Sequence, residues 1–289
     1  MKQAAALMLS MLLLLAECAG QNTPQATLTP EQAIEFEYNG TVDFFFDAYF
    51  HFHPSDGTAA GFHQYDNLLE DLSQQSRDAE LSFLLEVKQA AGYRHIERYS
   101  DLQRADWKLL SNFINARILE LQEIRMWQKN PDIYASSATA SIFGLMSRKF
   151  APPAERLKSV IAREQKIPAN LAAARVNLKN PPRVYTEIAI EQLPGIISFF
   201  QKDVPEAFKE VTDPQLVNEF SAANGKVIAE LQRYHDFLKN DLLAISKGDF
   251  RIGPDLYRKK LLYEDMIDIP LDRLQQIGYD DLHKNQAEL

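Results

Sequence analysis

A chain of 289 residues, 46% hydrophobic and 25% charged, has the composition of a folded globular protein, long enough for one large domain or two ordinary ones, and this excludes disorder as its default state. Its net charge of -9 opposes a surface built to neutralise phosphates or to dock on anionic lipid, so no nucleic-acid partner is expected. A single cysteine excludes an intrachain disulfide framework, a thiolate zinc knuckle and an iron–sulfur cluster.

Residues 1–20 read as an export signal, with Lys2 as the positive start and Ala4 to Ala16 as an apolar run too short to span a bilayer as a permanent helix. Two readings of its end stay open. Cleavage after Gly20 leaves a soluble exported protein. Alternatively Leu15-Ala16-Glu17-Cys18 resembles a lipoprotein box, with Cys18 as the lipidated residue, the only expected membrane contact, and residues 21–28 as a tether; Glu17 departs from that pattern, which favours a small residue. Either way the protein is expected in the periplasm or anchored to the envelope of a bacterium.

From residue 29 to 289 one helical domain is expected. Thr29-Pro30-Glu31-Gln32 is a helix start, with Thr29 as cap, Pro30 in the first turn and Gln32 completing a capping box; Ile34, Tyr38, Val42, Phe45 and Tyr49 then recur at helical spacing. A second helix is predicted to open at Ser76 and run through Leu81, Leu84 and Leu85 toward Gly92. Ser100-Asp101-Leu102-Gln103 is another capping box, and Leu110, Phe113, Ile114, Ile118, Leu121 and Ile124 give one apolar face that Asn130-Pro131 stops. Prolines then punctuate helical segments at Pro152-Pro153, Pro168, Pro181-Pro182, Pro214, Pro254 and Pro270, mostly beginning them. Asp213-Pro214 opens a long amphipathic run through Leu216, Phe220, Val227, Leu231, Tyr234, Leu238 and Leu242. No alternating strand pattern and no repeat period stands out, so the fold class is all-α, a helical array. The last segment, from Pro270 through Leu274, Ile277 and Leu282, has no closing signal, and a chain truncated at its C-terminus is expected.

None of the six histidines is followed by Glu, so no H-E-x-x-H zinc helix exists, and no G-x-S-x-G or glycine-rich phosphate loop is present. His51 and His53 share a metal only on an extended backbone, and here they end an aromatic helix, where their rings diverge. His63, Tyr65 and Asp66 come after Gly57 and Gly61, where a loop can aim polar groups into a cleft or simply lock one helix on the next. Arg148, near Lys149 and Arg156, can hold a carboxylate or serve a buried structural ion pair. These four residues, His63, Tyr65, Asp66 and Arg148, are the cleft candidates; no catalytic, cofactor or metal residue is assigned.

Several strings together carry a resemblance: His53-Pro54 leading into Ala59-Ala60-Gly61-Phe62-His63-Gln64-Tyr65-Asp66 and Asp71-Leu72-Ser73; Asn130-Pro131 with Tyr134; Arg148-Lys149-Phe150-Ala151-Pro152 with Glu155-Arg156-Leu157; Ile167-Pro168; Asn177-Leu178 with Asn180-Pro181-Pro182; and Gly248-Asp249-Phe250 with Ile252-Gly253. The chain resembles domain-of-unknown-function family 885, exported or lipid-anchored bacterial proteins similar to helical zinc metallopeptidases. What this implies is a larger zincin-like helical fold with a deep cleft, whose zinc lies on an H-E-x-x-P-G-H helix and a later Glu in the C-terminal half. This sequence lacks that half, so no ligand carries over and no cofactor is expected here, although zinc is expected in a full-length member. The resulting expectation is the N-terminal region of an exported zinc-peptidase-like hydrolase, inactive alone, its partner a peptide or peptide-like substrate shared with the missing half. The alternative is a non-catalytic helical binding or interaction protein of the cell envelope.

Overall fold

The computed structural model describes residues 28–92 and 96–288, so the expected leader, Cys18, the expected tether up to residue 27, and His95 lie outside the described residues. The chain divides into two units, Met1–Asn39 and Gly40–Leu289. In the first, the Thr29 hydroxyl accepts from the Gln32 amide at 3.2 Å and the Gln32 side chain accepts from the Thr29 amide at 2.9 Å, which is the anticipated capping box at the start of α1 (Pro30–Phe52).

The second unit is an all-α array; among the described residues there is no sheet, only one parallel bridge between Pro182 and Gly248. A smaller core gathers Phe45, Tyr49 and Phe50 of α1 with Tyr65, Leu84 of α3 (Gln74–Ala91), and Ile114 and Ile118 of α4 (Asp101–Leu119). The α3 cap is Ser73, whose hydroxyl accepts from the Ser76 amide at 3.2 Å, so the helix opens before Ser76 rather than at it. Ser100 and Gln103 form their capping box as anticipated.

The periodic run after Ser100 is not one helix to Asn130. It widens into a π-helical turn at Glu120–Ile124 and stops at Arg125, whose φ of 55° is left-handed; α5 (Met126–Lys129) begins immediately after it. The Glu120 carboxylate accepts from the Met126 amide at 2.7 Å and so caps the restart. The same widening ends two later helices, α9 (Arg183–Ser198) at Phe199–Asp203 and α11 (Pro214–Phe237) at Leu238–Leu242.

The larger core lies between α6 (Asp132–Ser147), α7 (Pro153–Glu164), α8 (Ile167–Asn177), α9 and α11. In α7, Leu157, Val160 and Ile161 recur at helical spacing and are buried, packing α7 on α6 and α11; truncating such a side chain typically costs about 2–5 kcal/mol. Asp213 accepts from the Gln215 and Leu216 amides ahead of Pro214, the anticipated cap of α11. The short helices α2 (Pro54–Ala59), α10 (Val204–Ala207) and α12 (Leu243–Ile245) make corners, and α13 (Pro254–Glu264) packs on α4. The last helix, α14 (Leu271–Glu288), is amphipathic in sequence but carries no buried residue. No described helix is long and apolar enough to cross a membrane.

Candidate functional site

The corner after α2 depends on two glycines. A Cβ on Gly57 would lie 2.8 Å from the Tyr65 ring and 3.2 Å from Phe50, so only glycine lets the loop return this close; Gly61 has φ +94°, a conformation L side chains avoid. The reversed chain makes a single helical turn, His63–Tyr65, and delivers two side chains in opposite senses. Tyr65 turns inward: it is buried and its hydroxyl donates to the Asp47 carboxylate at 2.7 Å. His63 turns outward, its Nδ1 3.1 Å from Asp66 Oδ2, and its ring stacks on Phe150 at 3.9 Å between centroids.

Asp66 is buried and its position is set from beneath. Its Oδ1 accepts from the Thr58 hydroxyl at 2.8 Å; that hydroxyl accepts from the Arg163 guanidinium at 2.6 Å. Arg163 is 1% exposed and also donates to the Ser141 carbonyl, tying the loop to α6 and α7. Arg156, likewise buried, spends its guanidinium on the carbonyls of Ala151, Leu145 and Met146, which closes the end of α6 and turns the chain into α7.

These pieces wall a groove of about 610 Å³ lined by His63, Asp66, Phe150, Arg156, Lys158 and Ser159, with Gln64, Asn67 and Glu155 among the polar groups at its margin. The loop after α2 and the first turns of α7 are thereby brought together, although Asp66 and Phe150 stand 84 residues apart in the chain. Of the four cleft candidates, His63 and Asp66 line the groove. Tyr65 does not, because its ring belongs to the smaller core. Arg148 does not either: it donates to the Ala59 carbonyl at 2.7 Å, so its role is to fasten the corner after α2, in place of the carboxylate contact considered for it. Sequence reasoning passed over Lys158 and Ser159, whose one available signal is their position on the polar side of α7.

A second polar cluster sits apart from the groove. His53 Nε2 lies 2.8 Å from Glu80, and Arg117 donates to the same Glu80 oxygen through Nε at 3.0 Å and through its terminal nitrogen at 2.6 Å. Burial by itself would raise the Glu80 carboxyl, but His53 and Arg117 hold it below its ordinary value. His51 turns elsewhere, to the Asp47 carbonyl at 2.7 Å, so the two histidines diverge as helix geometry requires. Among the described residues no three His, Cys, Asp or Glu side chains converge in a way that holds a metal ion.

Glu164, at the end of α7, is fully buried and neither of its carboxylate oxygens has a hydrogen-bond partner; burial pushes its carboxyl up to about 8.

No curated protein matches the chain. Its fold is similar to that of a protein of unknown function from Shewanella oneidensis, a candidate lipoprotein, with a TM-score of 0.76 and 23% identity; the match covers 87% of this chain and 46% of that one, so this chain spans less than half of its solved counterpart. That likeness concerns the fold alone. Residues 54–289 match the model of the family described as bacterial protein of unknown function, DUF885, a stretch that takes in the loop after α2, all of α7 and the groove between them, and the chain belongs to that family.

Proposed function

We propose that the chain is a helical binding protein of the bacterial cell envelope, non-catalytic by itself, and that its ligand is a peptide or peptide-like chain lying in the groove between the loop after α2 and the first turns of α7. The observation that carries this reading is the division of labour around the groove. Thr58, Arg163 and Arg156 are buried and committed to internal hydrogen bonds, whereas His63, Lys158 and Glu155 are exposed at the lining, and the stacked His63–Phe150 pair offers a planar apolar face. A rigid, buried support beneath a few outward polar groups is how binding sites hold their geometry. The export signal at residues 1–20 supports the envelope, with Cys18 as the point of attachment if the lipoprotein box is used.

One observation favours a second reading. Because the fold matches only 46% of the Shewanella chain, the groove fits equally the wall of a larger cleft in a longer zinc-peptidase-like hydrolase of which this is the N-terminal region. A coding sequence for an H-E-x-x-P-G-H helix downstream of Leu289 supports that reading.

The binding reading is tested by incubating the full chain with an arrayed peptide library, alongside Ser159→Trp, which plugs the groove from α7. A set of peptides retained by the wild type and released by the variant is the expected result. Retention that ignores the plug places the ligand elsewhere and contradicts the proposal.

A further inference from the structure

The hydrogen bonds beneath His63 run in one direction. An arginine only donates, so the Thr58 hydroxyl accepts from Arg163 and its single hydrogen goes to Asp66 Oδ1. The fully buried Arg163 guanidinium needs a compensating negative charge, and Asp66 and Glu70 are the carboxylates that act on it. An ionised Asp66 accepts on both oxygens, so the proton between its Oδ2 and His63 Nδ1, 3.1 Å apart, belongs to the ring. A neutral imidazole holds one proton; with Nδ1 taken, Nε2 carries a bare lone pair.

That lone pair belongs to the groove. The Asp66 side chain is 9% exposed and that of His63 43%, so the Nδ1 edge of the ring is turned to the protein and the opposite edge to the groove. Among the described residues Nε2 has no hydrogen-bond partner. Stacking on Phe150 at an interplanar angle of 18° holds the ring in its plane.

The polarity of Nε2 selects what meets it. An anion is repelled by a lone pair. The charged lining groups are two acids, Asp66 and Glu155, and two bases, Arg156 and Lys158, a balance that suits a neutral ligand better than an ammonium. A hydroxyl both donates and accepts, so it fits either ring tautomer and gains nothing from a fixed one. A main-chain N–H only donates, and it is the group for which a ring locked as an acceptor is a match.

We propose that the groove grips a main-chain N–H of a bound peptide through His63 Nε2 as acceptor, and that Asp66, Thr58 and Arg163 are positioning residues that keep the ring proton on Nδ1. This rests on the reading of the groove as a peptide site and adds the sense of the hydrogen bond. It also gives a reason for a fully buried arginine to serve a threonine hydroxyl in a surface loop.

The test uses the full chain at pH 8, where an ordinary imidazole is neutral, and reads the His63 ring nitrogens by long-range proton–nitrogen NMR correlation. The probes are N-acetyl-trialanine N-methylamide, the same peptide with every backbone nitrogen methylated, trialanine N-methylamide with a free amino terminus, and methyl glucoside. Without ligand, the proton is expected on Nδ1; a proton on Nε2 overturns the proposal. The capped peptide is expected to shift Nε2 saturably, and its methylated form to bind roughly tenfold more weakly, as suits the loss of one hydrogen bond.

Asp66→Asn is expected to invert the ring. The Thr58 hydrogen draws the new side-chain oxygen, which leaves the amide nitrogen to donate to Nδ1 and sends the ring proton to Nε2. The capped peptide should then bind as weakly as the methylated one does to the wild type. A purely structural role of Asp66 leaves the tautomer unmoved, and that result overturns the positioning role. The methylation comparison uses the wild type alone and decides the proposal if the variant does not fold. Equal binding of the capped and methylated peptides overturns the assigned polarity and leaves the groove a ligand site. Tighter binding of the free-amine peptide or of the glucoside overturns it in favour of an ammonium or a hydroxyl. No shift at His63 with any probe overturns it outright, and the peptide array then decides separately whether the groove binds at all.

Discussion

Glu164 offers a quantitative check on the packing of α7. Its carboxyl is fully buried, without a hydrogen-bond partner on either oxygen, and is raised from 4.5 to about 8 by burial. In the unfolded chain it loses its proton near 4.5; in the folded protein it keeps the proton until about 8. The folded state thus holds more protons between those two values, and stability falls as pH rises through the window, then levels off above it. At about 1.4 kcal/mol per pH unit, the penalty reached at pH 7 is roughly 3 kcal/mol. Glu164→Gln cannot ionise, so it removes this dependence while keeping the side-chain volume. Urea unfolding monitored by helical circular dichroism, run at several pH values from 4.5 to 8 at constant ionic strength, reads the difference between the two proteins. Other titrating groups are common to both and cancel. The advantage of the glutamine variant is expected to grow with pH, from its value near pH 4.5 to roughly 3 kcal/mol more at pH 7. Parallel curves for the two proteins across that range would show that Glu164 ionises freely in the folded state, and the account of its burial would be wrong.

Further predictions concern single contacts. Glu80→Gln weakens the buried cluster with His53 and Arg117; because the Glu80 carboxyl is held below its ordinary value, the stability it contributes is present above the unfolded value and lost as pH falls through the folded one, and acid unfolding of the variant should show a shallower slope there. Asn170 accepts from the Leu72 amide, 98 residues away, at 3.0 Å and donates to the Glu70 carbonyl, 100 residues away, at 2.8 Å, so Asn170→Ala is expected to cost about 1–3 kcal/mol and to speed hydrogen exchange at Leu72; unchanged exchange would contradict the contact. A Cβ on Gly248 would stand 2.2 Å from the Asn180 carbonyl oxygen, so Gly248→Ala should displace the bridge to Pro182 and lower the unfolding temperature, whereas a wild-type melting curve would refute that close approach. Zinc titrated into the chain by calorimetry should give no submicromolar stoichiometric binding; such binding, lost on His53→Ala, would relocate the functional site to α1 and α2.

What was legible in the sequence was mainly what is local. The caps at Thr29, Ser100 and Asp213 could be read because a capping hydroxyl or carboxylate, a first-turn proline and a Gln three residues on are all neighbours in the chain. The break at Arg125 could not: the residue that turns left-handed is neither Gly nor Asn, and the apolar spacing runs on through the π-helical turn before it. The same holds at Leu238–Leu242, where the apolar run continues while the hydrogen bonding widens. In the groove, Gly57 and Gly61 announced a corner carrying His63 and Asp66, but Phe150, Lys158 and Ser159 come to it only because α7 packs on α6 and α11, a tertiary fact. His53 read only as the end of an aromatic helix, since Glu80 and Arg117, its partners, are 27 and 64 residues away. Arg148 carried a charge that suggested a carboxylate partner, and nothing in its neighbourhood signalled the Ala59 carbonyl.

The central claim is that the groove between the loop after α2 and α7 receives a ligand, and a photocrosslinking side chain placed in it tests this most directly. The full chain, made in bacterial cells with the crosslinker at Ser159 or at Gln64, is irradiated in intact cells beside a control with the crosslinker at Val176, which is 65% exposed on α8 and outside the groove. The account predicts a discrete adduct from both groove positions, absent from the control. Adducts that form equally at Val176, or none at either groove position, would contradict it.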